Sequence, residues 1–228
     1  MLELEQVHLD FGAAPVLAGF DLRIAPGERV GLFGASGSGK STVLKLACGL
    51  LRPRRGRVGN RHRRTALVFQ EPRLLPWCRL HENLVLPLRA AGHNRIDAER
   101  LADQWLDRVG LAQAATRWPG QLSGGMAQRA SLARAFALTP DLLLLDEPFS
   151  ALDPGLRQGL AALCDELVTQ SGASLVCVSH HPQELVPWVD RCVLLKGGRG
   201  HAYDDCCDEA TRAATARALQ LALQEPLS

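Results

Sequence analysis

Gly34-Ala35-Ser36-Gly37-Ser38-Gly39-Lys40-Ser41-Thr42 is the stretch whose reading decides the fold. Gly34, Gly39, Lys40 and Ser41 satisfy the phosphate-loop pattern, in which two glycines with four residues between them precede lysine and a hydroxyl residue. On the N-terminal side, Arg29 to Phe33 reads as a buried strand; on the C-terminal side, Thr42 to Cys48 reads as a helix closed by Gly49 and ending near Leu51. The glycines let the backbone curl so that successive N–H groups point inward at phosphate oxygens. The helix start adds the positive end of its dipole. Lys40 can reach the β- and γ-phosphates as a compact cation, and Ser41 can ligate Mg²⁺. A flexible Gly/Ser turn would satisfy the loop alone, but it would not require a strand before and a helix after.

The 228 residues suffice for one α/β domain with a substantial core. Hydrophobic residues make up 46% and charged residues 22%, a globular balance, and the net charge of +2 gives no global basic field. Nucleic acid is therefore not an expected partner. No apolar run approaches the ~18 residues that span a bilayer. Met1-Leu2-Glu3-Leu4-Glu5 has neither the basic start nor the apolar core of a signal peptide, so a cytosolic protein is expected. The seven cysteines are odd in number and form no CxxC, which fits reduced core residues. Cys206-Cys207, flanked by Asp204, Asp205, Asp208 and His201, matches no standard metal spacing.

Further from the loop, Leu2 to Leu9 and Val16 to Ile24 alternate in the manner of strands. Arg52 to Arg64 holds seven arginines and no acid, and reads as a solvated surface with nucleic acid or lipid head groups as alternatives. Ala66 to Phe69 is a short strand. Residues 80–138 read as several helices, with Leu101, Trp105, Leu106 and Val109 at helical spacing. Asp141 to Asp146 is a buried strand, Gly155 to Gln170 a helix, Ser174 to Val178 and Arg191 to Leu195 strands, and 208–224 a helical tail. The alternation implies an α/β fold with a mostly parallel sheet interrupted by a helical insert.

Three further elements carry chemistry. Leu142 to Asp146 is a hydrophobic strand ending in two carboxylates, and ligands of open parallel sheets bind at the carboxyl ends of strands. Asp146 is thereby placed to orient Mg²⁺, and Glu147 to accept a proton from an attacking water. Ser123-Gly124-Gly125 opens a helix with Ser123 as N-cap, a second anion site. Two such sites make sense if nucleotide is held between two subunits. Gln70, after strand 66–69, can meet the metal or the attacking water, and His180, after strand 174–178, can contact the γ-phosphate.

This ordered set resembles the ATP-binding subunits of ABC transporters over about residues 2–200. The motifs look like Walker A at Gly34–Thr42, the Q-loop at Gln70, the signature at Leu122–Met126, Walker B at Leu142–Asp146 with Glu147 as catalytic glutamate, and the switch histidine at His180. Ser150-Ala151-Leu152-Asp153 looks like the D-loop, and Phe11 like the aromatic that stacks on adenine. The resemblance implies a P-loop ATPase spanning 1–228, with a core at about 1–77 and 139–200, a helical subdomain at about 78–138 and a small antiparallel β-subdomain. It implies ATP and Mg²⁺ as ligands, Gly34, Ala35, Ser36, Gly37, Ser38, Gly39, Lys40, Ser41 and Thr42 on the phosphates, and Ser41, Gln70 and Asp146 on the metal. A second copy would supply Ser123, Gly124 and Gly125 across a head-to-tail dimer. Glu147, His180 and Gln70 would serve hydrolysis, and permease subunits would dock at about residues 70–90. The place of action implied is the cytoplasmic face of the inner membrane, peripherally, with a substrate-binding protein as an indirect partner.

Phe69-Gln70-Glu71-Pro72-Arg73-Leu74-Leu75-Pro76-Trp77 is similar to a stretch in importers of nitrate, sulfonate, taurine and related small anions, and Trp118-Pro119 is similar too. Departures exist. Met126 stands where glutamine is commoner, Ser179 and His181 flank His180 where Thr and Asp are usual, and the stretch from Lys40 to Gln70 is short, which implies a trimmed β-subdomain. An exporter or lipid-transport ATPase remains an alternative. Against non-transport ABC ATPases, the span from Lys40 to Ser123 leaves no room for long coiled coils, and the chain holds one cassette.

Overall fold

The computed structural model describes residues 1–12, 14–149, 152, 154–203 and 208–224, with only the backbone of Ala14 and Pro154. Ser150, Ala151 and Asp153 of the D-loop-like stretch, and the Cys206-Cys207 pair, lie outside the described residues. In chain order the elements are β1 (Leu2–Phe11), β2 (Ala14–Ile24), β3 (Arg29–Phe33), α1 (Lys40–Ala47), β4 (Arg55–Asn60), β5 (Thr65–Val68), α2 (Leu80–Ala90), α3 (Arg95–Arg108), α4 (Gly124–Ala137), β6 (Leu142–Asp146), α5 (Pro154–Ser171), β7 (Ser174–Val178), α6 (Pro182–Leu185), β8 (Arg191–Lys196), β9 (Arg199–Tyr203) and α7 (Glu209–Gln224). They fall into two compact units, one comprising Met1–Leu67, Asp141–Glu147 and Gly172–Ser228, the other Val68–Pro140 and Pro148–Ser171.

The first unit is built on a six-stranded sheet in the order β5-β6-β7-β3-β8-β9. β6, β7, β3 and β8 run parallel to one another, and β9 closes the edge antiparallel to β8. Strands covered on both faces lose the polar alternation of half-exposed ones. Leu142 to Leu145 of β6 accordingly form an unbroken apolar run in which every residue is 0% exposed. Each such side chain contributes about 1.5–3 kcal/mol through burial. A second, antiparallel sheet, β2-β1-β4, adds Leu2, Leu4, Phe20 and Ile24 to the same core as Val30, Leu32, Leu142 and Val176. α1 packs on β6 and β7 and contributes Val43, Leu44 and Leu46.

Two strands carry no readable pattern. β4 lies within the arginine-rich stretch, and β9 is almost wholly exposed. Both are held by the backbone ladders of β1 and β8 rather than by burial of their own side chains. The arginines are partly answered there: Arg57 pairs with Glu5 at 2.7 Å and Arg54 with Asp10 at 2.8 Å. α1 also ends earlier than the expected Leu51. Cys48 caps it, Gly49 adopts φ 76°, and the N–H groups of Gly49 and Leu50 return to the carbonyls of Leu46 and Lys45. That reciprocal pair is a Schellman closure, which glycine alone enters without strain.

The second unit is helical. Leu80, Leu84 and Leu88 of α2 repeat every four residues, as do Ala98, Ala102 and Leu106 of α3, and they meet Ala130, Ala133 and Ala137 of α4. The small residues let the helix backbones approach. Trp105 stacks on Phe136 with ring centroids 6.0 Å apart. Asn83 is fully buried in α2, accepting the Leu75 N–H at 2.7 Å and donating to the carbonyls of Leu75, Cys78 and Arg79. It thus fastens the preceding loop to the helix. Among the described residues no helix is long and apolar enough to cross a membrane.

Candidate functional site

The phosphate-loop residues follow β3 directly. A Cβ at Gly34 would lie 2.5 Å from Ser38 Oγ and 2.8 Å from the Leu195 carbonyl oxygen, so no other residue fits. The Ser38 N–H donates to the Ala35 carbonyl at 3.1 Å, and Gly39, at φ 105°, turns the chain into α1. Lys40 folds back inside this loop. Its Nζ donates to the carbonyls of Gly34 at 2.8 Å and Ala35 at 2.9 Å, and the residue is only 7% exposed. Burial pushes its ammonium below the usual lysine range, against the opposing charges of Glu147 and Asp146. Ser38 Oγ is buried with no hydrogen-bond partner. An orphaned buried hydroxyl is a cost that a bound oxyanion would relieve.

β6 brings Asp146 and Glu147 to the same region. The Asp146 carboxyl is buried, accepts the Ser41 hydroxyl, and is pushed above the usual carboxylate range by that burial; the Ser41 hydrogen bond and Lys40 oppose the shift. Glu147 leaves the strand at φ 45°, a left-handed conformation costing roughly 1–3 kcal/mol in a residue with a side chain. Its N–H donates to the Val178 carbonyl at 3.1 Å, which ties it to the end of β7. From that strand end His180 reaches across, its Nδ1 3.1 Å from Glu147 Oε2. The carboxylate can only accept, so the proton of this contact sits on Nδ1.

Ser41 and Asp146 offer hard oxygen donors, which suit Mg²⁺. No group of three or more His, Cys, Asp or Glu side chains placed to hold a metal occurs among the described residues. An ion here would therefore complete its shell with phosphate oxygens and water, as Mg²⁺ does in nucleotide sites.

The first unit thus brings together Lys40, Ser41, Asp146, Glu147 and His180. Phe11, also in this unit, stands at the end of β1 and is 61% exposed. Gln70, Ser123, Gly124 and Gly125 belong to the second unit. Gln70 follows β5 and is exposed. Ser123 caps α4, its Oγ accepting the Met126 N–H at 3.3 Å, and Ser123 and Gly124 are exposed. The orphaned Ser38 hydroxyl and the Lys40 carbonyl contacts are features that no sequence pattern announces.

The chain matches the family model "ABC transporter" over residues 17–150. It is 45% identical, over 199 residues covering 87% of this chain and 81% of the relative, to an aliphatic sulfonates import ATP-binding protein of Granulibacter bethesdensis. A protein of the same description from Nocardia farcinica is 47% identical over 189 residues, 83% of this chain and 74% of that one. Among solved structures, the ATP-binding subunit of an ABC transporter superposes with a TM-score of 0.84 at 28% identity, over 99% of this chain and 100% of the other. An ATP-binding cassette in a dimeric post-hydrolysis state, bound to ADP and Pi, superposes with a TM-score of 0.82 at 29% identity, over 90% of this chain and 98% of the other. With the phosphate loop, the paired carboxylates and these relatives in agreement, the chain belongs to the ABC transporter family.

Proposed function

We propose that the chain binds and hydrolyses ATP to power import of an aliphatic sulfonate or a similarly small anion through a partner permease. The observation that carries the hydrolytic part is the Glu147–His180 pair, 3.1 Å apart at the ends of two adjacent parallel strands, beside Lys40. In this reading the residues Gly34–Thr42 cradle the phosphates. Lys40 exchanges its two loop carbonyls for phosphate oxygens. Glu147 takes a proton from the attacking water, and His180, its Nδ1–H engaged with Glu147, contacts the γ-phosphate. Ser41, Asp146 and Gln70 hold Mg²⁺, which when bound neutralises charge on the phosphates. Phe11 stacks on adenine.

The same reading makes the chain one cassette with residues 78–138 as its helical subdomain, working as a head-to-tail dimer in which Ser123, Gly124 and Gly125 contact the nucleotide of the other copy. The dimeric state named for the ADP-bound relative supports this arrangement. The permease docks on residues 70–90, where Trp77 is 72% exposed. The chain then sits peripherally on the cytoplasmic face of the inner membrane. The relatives are named as sulfonate importers, which favours import over export and a sulfonate over nitrate.

The test is purification of the tagged chain from its native membranes in mild detergent. Co-purifying membrane proteins are identified, and ATPase activity is measured with alkanesulfonates, taurine and nitrate added in turn. The expected result is a permease with its binding protein, and stimulation by an alkanesulfonate. Recovery of the chain without any membrane protein overturns the transport reading, and stimulation by nitrate alone overturns the sulfonate assignment.

A further inference from the structure

His180 is 46% exposed in its side chain, and an imidazole that open to solvent rotates about two torsions unless something holds it. Its sequence neighbour does so. The rings of His180 and His181 lie with centroids 4.0 Å apart and planes at 46°. Consecutive residues leaving a strand point to opposite sides, so two adjacent rings in contact need a cause.

Three local features supply it. Ser179 Oγ accepts the His181 N–H at 2.9 Å and closes a turn around His180. Pro182 opens α6, and its ring excludes the helical conformation from the preceding residue, leaving His181 at φ −114° and ψ 88°. The N–H groups of Glu184 and Leu185 both return to the His181 carbonyl, at 3.2 and 3.4 Å. The backbone of 179–185 is therefore restrained, and in this arrangement ring 181 lies against ring 180.

We infer that His181 is a positioning residue. Its ring lies tilted against that of His180 and holds the Nδ1 edge of that imidazole toward Glu147, so that position 181 requires a ring rather than a charge. The inference rests on the proposed role of His180 in ATP hydrolysis.

The experiment compares His180→Ala, His181→Ala and His181→Phe in the assembled transporter, reading kcat and KM for ATP. His181→Ala is expected to lower kcat about tenfold with KM within about twofold, because a misplaced catalytic group costs rate rather than affinity. His181→Phe, which keeps a ring in place, is expected to restore kcat to within about twofold of the original. Wild-type turnover in His181→Ala overturns the inference. So does a His181→Phe variant as slow as the alanine one, or a KM change as large as the kcat change. His180→Ala separates this from the underlying reading. If that variant turns over normally, the catalytic role of His180 falls first; if it is inactive while His181→Ala is unaffected, only the positioning role falls.

Discussion

The phosphate loop of the first unit and the Ser123–Gly125 segment of the second are both glycine-rich openings of a helix, yet they are built in opposite ways. Around Gly34–Ser41 three charged groups are answered from within the same unit, Lys40 by two carbonyls, Asp146 by Ser41 and Glu147 by His180, while Ser38 Oγ is left without a partner. Around Ser123 the surface is open. Ser123 and Gly124 are exposed, a Cβ at Gly124 would meet nothing within 4 Å, and Trp118, just upstream, is 42% exposed. One site holds its own geometry. The other is open to solvent at Ser123 and Gly124, while a Cβ at Gly125 would meet Leu152 at 3.3 Å.

That contrast can be broken. Glu147→Gln should leave ATP affinity unchanged and lower turnover by about 10²–10⁴-fold, the range of a lost general base. Single-turnover hydrolysis and nucleotide titration measure the two separately, and a variant hydrolysing at the original rate refutes the assignment. Lys40→Ala removes charge-assisted contacts worth about 1.5–3 kcal/mol, so ATP should bind roughly 10–150-fold more weakly by calorimetry. In the second unit, Trp77→Ala should act on partners instead. Loss of a buried aromatic anchor costs at least about 2 kcal/mol at an interface, so recovery of permease with the tagged chain should fall steeply. ATP affinity of the free chain should stay where it was. If Trp77→Ala weakened ATP binding instead, the division of labour between the units would be wrong.

The smallest expected effect has the opposite sign. Burial raises the Asp146 carboxyl above its ordinary value, so the folded chain holds that proton more tightly than the unfolded one. This contribution to stability is present at low pH and is lost as pH rises through the raised value. In its ionised form the buried group is a burden on the nucleotide-free fold. Asp146→Asn should therefore raise the melting temperature by about 2–4 °C, the shift expected of ~1 kcal/mol in a chain of this size. A lower melting temperature would show that the charge stabilises the loop.

The fold was readable where burial dictates residue type. The four leucines of β6 and the four-residue repeats of α2 and α3 are patterns that packing enforces, and they stand in the sequence as such. β4 and β9 were not readable. Arg-Gly-Arg-Val-Gly-Asn and Arg-Gly-His-Ala-Tyr are held by hydrogen bonds to a neighbouring strand, and backbone ladders leave no mark on side-chain choice. At the site, the loop and the carboxylate pair are legible because phosphate and metal chemistry demand particular groups at particular spacings. The contact between His180 and His181 is not, because it depends on a turn closed by a serine hydroxyl and a proline.

The two carbonyl contacts of Lys40 have a kinetic side. A flexible phosphate loop would have to order itself around each arriving nucleotide. Here the lysine acts as an internal place-holder that keeps the loop in shape while it waits. In the proposed role of Lys40, entry of a triphosphate would be an exchange of these carbonyl oxygens for phosphate oxygens. Affinity reports only the difference between them, while the rate of entry and exit is freed from any folding step. A subunit built this way is suited to repeated loading and release rather than to tight storage of its ligand.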